Sequence, residues 1–152
     1  MPAITPSYLY TFIALIAVGS LLIFSFTAYA SALRSSSEVR QLKNLMDYVA
    51  AESTKLLTLT LTTNATATVF LQMPTTIGER QYWLELHNDS AKAWLEGGFG
   101  NSPVEGTELR VYLPNGVLAT GYYLSGYGAA QLKCKFDVDV LCVQLASSSL
   151  GE

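Results

Sequence analysis

Side chains that could carry out catalysis are few in this sequence and form no recognisable constellation. His87 is the only histidine, which excludes a multi-histidine metal site and leaves only mixed-ligand ones. Asp137 and Asp139 would point to the same side of a strand and could bind a cation there, although a solvated strand face is the favoured interpretation. The sequence therefore predicts that the protein is not an enzyme, with no catalytic residues, no metal ligands and no cofactor.

The two cysteines, Cys134 and Cys142, are the only thiols and lack the Cys-x-x-Cys spacing of metal and redox sites. If they lie on the two arms of one hairpin they can form a disulfide, which would fit an extracytoplasmic location. The alternative is a pair of buried free thiols. Two sequons begin at Asn64 and Asn88, and both fall at predicted turns where N-glycosylation can be accommodated.

Two further segments could bind a ligand but lack the companions that binding requires. The glycines of segment 97–100 are not followed by the helix and lysine of a phosphate-binding loop, so a mobile surface loop is predicted. Tyr122, Tyr123 and Tyr127 could form a binding patch, or they pack in the core or at its rim. The chain carries 9 basic and 12 acidic residues, so no nucleic-acid partner is expected.

The elements that would position these residues begin with an apolar segment. Residues 8–33 contain no charged side chain and no histidine, and they exceed the roughly 20 residues that a helix needs to cross a bilayer. A helix start between Thr5 and Tyr8 is predicted, with Pro6 in its first turn. No basic residue precedes this segment and its apolar run is long, so a retained membrane or assembly helix is expected rather than a removable signal.

The helical pattern continues beyond the first charged residue, Arg34. Segment 35–57 contains no glycine or proline, and its apolar positions repeat at spacings of three and four, which is typical of a heptad-like seam. That seam is expected to pack on the chain's own β domain or on neighbouring subunits. Its members are Val39, Leu42, Met46, Val49 and Leu56.

From residue 57 the period changes to two, which predicts strands. Leu57, Leu59 and Leu61 alternate with threonines as a first strand, and the turn at 114–116 predicts a hairpin into the strand that follows. The fold class is α+β, with a long helix, apolar and then amphipathic, followed by an antiparallel β-sandwich of seven or eight strands. The predicted domains are 1–57 (helix and stalk) and 58–152 (head). The other predicted strands are 66–73, 82–86, 92–96, 109–113, 117–124, 131–136 and 138–145.

The sequence gives conflicting indications of membrane orientation. Arg34, Arg40 and Lys43 follow the apolar segment, and the positive-inside tendency would place the C-terminal domain in the cytoplasm. The sequons, the cysteine pair and the threonine-rich strands favour the outside. The second group of features is given more weight, because charges interleaved with Glu38 and Asp47 are typical of a packing seam.

An apolar N-terminal helix that continues into an amphipathic stalk and a small β domain resembles the type IV pilin superfamily. Within it, the low charged fraction of 14 % and the Ser/Thr-rich head are most similar to archaeal pilins, archaellins and archaellum-associated pilin-like proteins. The resemblance covers the whole chain at the level of architecture. The residues that correspond to the assembly helix include Tyr8, Phe12, Ala14, Ala17, Gly19, Leu22, Phe26 and Tyr29.

The resemblance implies a structural subunit of an extracellular, type IV pilus-like filament that serves adhesion or surface interaction. Its partners would be copies of itself in a helical filament, the membrane before assembly, and surface-layer or host surfaces. The expected location is the cell surface, with a membrane-inserted precursor. The alternative is a single-pass, membrane-anchored β-sandwich that binds an envelope partner, as an archaellum-stator-like protein would.

Overall fold

The computed structural model describes residues 6–102 and 109–148 of the 152-residue chain. One long helix, α1, spans Pro6–Thr63 and is followed, within the described residues, by seven strands. The α+β class is therefore confirmed, and all seven strands predicted after residue 63 are found, the one at 117–124 with the predicted ends and the other six with shifted ends. Their bounds are β1 (Ala67–Leu71), β2 (Tyr82–Asn88), β3 (Ala93–Phe99), β4 (Leu109–Tyr112), β5 (Val117–Leu124), β6 (Ala129–Asp137) and β7 (Val140–Ser148).

The strand predicted at 57–62 is wrong, because α1 continues to Thr63. Leu57 and Thr60 are buried whereas Leu59 and Leu61 are exposed, which is a helical spacing and not an alternation. The threonine hydroxyls bond the helix's own carbonyls, as where Thr60 donates to the Leu56 carbonyl at 2.9 Å. The helix therefore ends about one and a half turns later than predicted.

Asn64 terminates the helix in the left-handed conformation, with φ of 52°. Its N–H donates to the Thr60 carbonyl at 2.8 Å and so satisfies one of the last-turn carbonyls. Asparagine tolerates this conformation better than most residues. The predicted turn at this position is confirmed, although it follows a helix rather than a strand.

The chain divides into two compact units, Met1–Glu38 and Val39–Glu152. In the first unit the described residues, 6–38, are helical throughout and none of them is buried. In the second unit, α1 residues 39–63 accompany the seven strands and supply part of the core. The two stretches of α1 thus differ in burial.

The described strands form one sheet in the order β1-β6-β7-β5-β2-β3-β4. The predicted sandwich of two packed sheets is therefore not confirmed. All pairs are antiparallel except β5 with β7, which run parallel. The predicted hairpin from β4 into β5 is wrong, because β4 pairs with β3 and β5 lies between β7 and β2; the turn at Gly116 is present, with φ of 80°.

Residues 39–63 of α1 pack on one face of this sheet. Met46, Leu84 and Leu95 are fully buried members of one apolar core. The opposite face is called the outer face here; it carries the alternate residues of each strand, such as Glu85 and Glu96, which are register partners.

The predicted mobile loop at 97–100 is wrong for its first three residues, because β3 continues to Phe99 and both Gly97 and Gly98 are buried in it. A Cβ on Gly97 would lie 2.7 Å from a Leu84 methyl and 2.9 Å from the Met46 sulfur. Gly98 lies against the indole of Trp83, with ring atoms 3.0 Å from where its Cβ would be. These glycines allow close approach of α1 and Trp83 to the strand.

Candidate assembly surface

The stretch of α1 from residue 8 to residue 33 exposes large apolar side chains on every side. Phe26, for example, is 76 % exposed, and Tyr8, Phe12, Leu22 and Tyr29 are all more than 60 % exposed. Soluble monomers rarely expose contiguous apolar patches of more than a few hundred Å². Lipid or other protein around this surface would remove it from water. Residues 8–33 are called the apolar segment here.

Small residues on the apolar segment leave room for a neighbouring helix. Ala14 and Ala17 are exposed and Gly19 is half-exposed, and a Cβ added at Gly19 would meet no atom within 4 Å. Helices that associate in lipid commonly approach each other at such positions. The structure thus leaves the predicted small residues accessible to a second helix.

Three hydroxyl groups of the apolar segment are satisfied within the helix. Thr11 donates to the Ser7 carbonyl at 2.9 Å, Ser20 to Ile16 at 2.7 Å and Thr27 to Ile23 at 2.8 Å. Because each of these three hydroxyl protons already has an acceptor, Thr11, Ser20 and Thr27 can enter an apolar environment without leaving a donor unpaired. Among the described residues, α1 is long and apolar enough to cross a membrane.

The predicted seam on the stalk lies on the chain's own sheet. Leu42, Met46, Val49 and Leu56 are buried in the core. Val39 departs from the prediction, since it is 41 % exposed and the buried stripe begins only at Leu42. The stalk therefore uses its apolar side intramolecularly, and the neighbouring subunits are not needed to cover it.

The single histidine belongs to a polar cluster on the outer face. His87 Nε2 lies 3.3 Å from Glu96 Oε2 and 3.4 Å from Glu85 Oε2, and its ring stacks on Trp94 at 5.9 Å between centroids. The other oxygen of Glu96 accepts the Trp94 indole N–H at 2.9 Å and pairs with Arg110. The cluster is a cross-strand ion-pair network of the kind that stabilises an exposed sheet face.

His87 is the penultimate residue of β2, and the cluster around it was not predicted from the sequence. The signal was present, because alternation places Glu85 with His87 and Trp94 with Glu96, and only a short turn separates the two strands. Within residues 6–102 and 109–148, no group of three or more His, Cys, Asp or Glu side chains suits a metal ion.

The cysteines lie on one hairpin, as predicted, but their thiols are free. Cys134 is the register partner of Val143, and Cys142 that of Lys135, so the two side chains lie on opposite faces of the sheet. Cys134 is buried, and burial raises its pKa although the Thr60 hydroxyl beside it acts in the opposite direction. This geometry does not allow a disulfide between them.

The aspartate pair of the sequence does not share a strand face. Asp137 ends β6 and pairs with Lys135 at 3.3 Å, whereas Asp139 lies in the turn with φ of 65°. The weak cation site considered for this pair is therefore not formed. Both residues are exposed.

The three tyrosines are separated rather than joined in one patch. Tyr123 is buried and donates to the Gly128 carbonyl at 3.3 Å, and burial raises its pKa. Tyr122 donates to the Asn101 carbonyl at 3.1 Å, and Tyr127 is exposed on the turn after β5. Rim and core packing therefore accounts for Tyr122 and Tyr123.

Both sequon asparagines are accessible. Asn64 is the exposed residue that ends α1, and Asn88 is the exposed last residue of β2. Neither is covered by the chain's own side chains, so glycosylation of either stays a prediction.

One surface depression stands out next to the stalk and is called the α1 groove here. It encloses about 490 Å³ between α1 and the segment after β1. Among the described residues, none of its lining side chains is charged. They are Gln41, Asn44, Leu45, Tyr48, Gln72, Pro74, Thr76 and Ile77.

Comparison with protein-family models, with curated proteins and with solved structures finds no match to this chain.

Proposed function

We propose that this protein is a structural subunit of an extracellular, type IV pilus-like filament that polymerises through its apolar segment. The observation that carries the proposal is the exposure of large apolar side chains on all sides of residues 8–33. In a helix that forms part of a globular core, such side chains face one side only. Here each side of the segment needs a partner, which a bundle of identical helices provides.

The two environments that suit the segment explain how a subunit would be stored and then assembled. A helix satisfies its own backbone hydrogen bonds and is therefore stable both in lipid and in a protein bundle. Before assembly the segment lies in the membrane. In the filament the same surface is buried against equivalent helices, where close packing at Ala14, Ala17 and Gly19 contributes van der Waals contact.

The β domain would form the outer layer of such a filament and interact with surfaces. It already has its own core, built from strands and from the stalk residues 42–60, so it does not need the neighbours in order to fold. Adhesion or attachment to surface-layer or host surfaces is the function that this arrangement favours.

The experiment is electron microscopy of cells that produce the full chain. The wild type is expected to form filaments, and a variant in which Ala14, Ala17 and Gly19 are all replaced by leucine is expected to lose them while remaining in the membrane fraction. The matched control replaces Ile13, Ile16 and Ile23 by leucine, which retains apolar volume and should retain filaments. A wild-type protein that remains a dispersed monomer in the membrane would contradict the proposal.

The alternative is a membrane-anchored binding module, and one observation favours it. The outer face carries exposed aromatic and charged groups together, among them Tyr112, which is 63 % exposed, and Arg110. Such residues are common at protein interfaces. An anchor tolerates the leucine triple variant, so unchanged membrane insertion with unchanged partner binding and no filaments from either protein would favour this function.

A further inference from the structure

The turn between β6 and β7 presents an apolar side chain in an unusual backbone conformation. Val138 is 92 % exposed with φ of 44°, and the next residue, Asp139, has φ of 65°. Two-residue hairpin turns with positive φ at both positions strongly favour Asn-Gly or Asp-Gly. A β-branched residue with positive φ is an outlier, and outliers of this kind cluster at functional positions.

Two further apolar side chains flank this turn. Phe136 is 40 % exposed and Val140 is 36 % exposed, and residues 136–140 together are called the hairpin tip here. A soluble protein gains nothing in its folded monomer from valine at this place, since asparagine or glycine would suit the turn better. A contact outside its own chain would account for valine at this position.

The α1 groove and the hairpin tip lie at opposite ends of the sheet. At the groove end, Leu71 of β1 is the register partner of Ala130, and the chain continues directly into the groove residues Gln72 and Pro74. The hairpin tip lies at the other end of β6, where that strand ends at Asp137. Since β6 rises about 3.3 Å per residue, its nine residues separate the two ends by roughly 26 Å.

The stalk runs along the same direction. Leu45 and Tyr48 line the α1 groove, whereas Thr60 lies beside Cys134, which is the register partner of Ala67, the first residue of β1. Copies displaced along this direction would bring the tip of one against the groove of the next. A contact between two different patches is heterologous, and when its symmetry does not close it generates a filament.

The chemistry of the two surfaces is complementary. The groove has apolar walls in Leu45, Pro74 and Ile77, and no charged side chain lines it. Its volume of about 490 Å³ accommodates a valine side chain with its turn. Asp137 pairs with Lys135 at 3.3 Å, whereas the exposed carboxylate of Asp139 has to remain in solvent at the rim of the groove when Val138 enters it.

We propose that the hairpin tip of one copy, led by Val138, docks in the α1 groove of the next copy and so joins the β domains head to tail. This proposal rests on the proposed filament function and assigns the occupant of the groove. It is a contact between β domains, additional to the one between apolar segments. A small apolar ligand or a lipid surface would be a different occupant of the same features, and the test separates them.

The test uses the full chain in cells and begins with Val138→Asn. Asparagine suits positive φ and removes the apolar side chain, so the purified variant is expected to be at least as stable as the wild type while forming about tenfold fewer filaments. The matched control is Tyr127→Asn, which removes another exposed apolar side chain on a turn and should leave filament number unchanged. A stable Val138→Asn protein with normal filaments would overturn the proposal.

Cross-linking identifies the occupant directly. In a Cys142→Ser background, cysteines at Val138 and Thr76 are expected to give a ladder of oxidised oligomers in membranes and filaments, whereas either cysteine alone should give none. Filaments without the ladder would overturn the docking while leaving the filament function in place. A ladder in membranes from a protein that forms no filaments would contradict the filament function but support the docking.

A third experiment introduces an ion pair between the hairpin tip and the α1 groove. Val138→Glu should abolish the head-to-tail contact, and Asn44→Lys on the groove should restore it in the double variant. Failure of the lysine to rescue, together with protection of the tip by lipid vesicles alone, would identify a membrane as the occupant and overturn the proposal.

Discussion

Two stretches of α1 differ in how their apolar side chains are buried. Along residues 8–33 apolar side chains occur on every side and remain exposed, whereas along residues 42–60 a single apolar stripe is buried and most exposed side chains are polar, Leu59 being an exception. Helix formation is common to both stretches. The difference is the period of the apolar residues, and it determines what each stretch can be packed against.

A one-sided stripe can be satisfied by one sheet, and the stalk shows this. The buried residues Leu42, Met46 and Val49 share a core with the strands. An all-round apolar surface cannot be satisfied in that way, because a sheet covers only one side of a helix. The 26 residues of segment 8–33 would span roughly 39 Å as a helix, enough to cross the hydrocarbon layer or to line the axis of a bundle.

The largest difference between the two stretches is expected when a charged side chain is introduced in each of them. Met46→Asp buries an unpaired carboxylate and is expected to lower the free energy of unfolding of the β domain by at least about 3 kcal/mol. Leu22→Asp should leave that free energy unchanged in detergent, because Leu22 is exposed. Thermal unfolding followed by fluorescence of the two tryptophans, Trp83 and Trp94, measures the difference.

Leu22→Asp is expected to act at a different step. An aspartate at the centre of a membrane helix costs about 2.5–3.5 kcal/mol of insertion free energy, so the variant should be depleted from the membrane fraction. Met46→Leu and Leu22→Ile are the matched controls, since both conserve apolar volume. Equal melting temperatures for Met46→Asp and wild type would show that the stalk does not share the core of the β domain.

An intermediate effect is expected at alkaline pH and is confined to the β domain. Burial raises the pKa of Tyr82 above its ordinary value, and Tyr123 acts in the same direction. In the unfolded chain a tyrosine ionises near pH 10, so above that pH the unfolded state binds fewer protons and the free energy of unfolding falls as pH rises. The stabilisation is fully present below about pH 10.

The measurement is the denaturant midpoint between pH 8 and pH 11 in Tyr82→Phe and in wild type. The variant should show a shallower alkaline loss, although it also lacks the hydrogen bond from the Tyr82 hydroxyl to the Pro74 carbonyl at 2.6 Å. Tyr127→Phe alters an exposed tyrosine and is the control. A pH profile with the same slope for Tyr82→Phe and wild type would show that Tyr82 does not cause the alkaline loss of stability.

The sequence predicted the helical stripe and the later strands because each has a regular period. Leu42, Met46 and Val49 repeat at helical spacing, and Leu84 and Leu86 alternate on β2. The strand at 57–62 was predicted wrongly because leucine and threonine alternate there with a period of two. Only the packing shows that Thr60, counted as polar, belongs to the buried side of a helix.

Features that depend on pairing between distant segments could not be predicted. Gly97 and Gly98 look like a flexible loop until Met46 and Trp83 are seen against them. The parallel pairing of β5 with β7 and the opposite ends occupied by the α1 groove and the hairpin tip likewise depend on strand order. The turn at Val138 was hidden because it contains no glycine or asparagine.

The smallest change in the free energy of unfolding is expected at the end of the stalk, where helix and strand were hardest to distinguish from the sequence. Thr58 is exposed and its hydroxyl donates to the Thr54 carbonyl at 2.9 Å. Alanine has the higher helix propensity, so Thr58→Ala should raise the free energy of unfolding by up to about 0.7 kcal/mol. In a strand the same change would lower it, because threonine favours strands.

Thr60→Ala changes a buried threonine two residues further along α1 and is expected to have the opposite effect. It removes a side chain that is fully buried beside Cys134, and it should lower the free energy of unfolding by about 1–2 kcal/mol. Opposite signs at Thr58 and Thr60, measured by denaturant unfolding in detergent, are expected only where the two side chains lie on different sides of one helix. Loss of stability in both variants would return segment 57–62 to a strand and place the end of the stalk near Leu57.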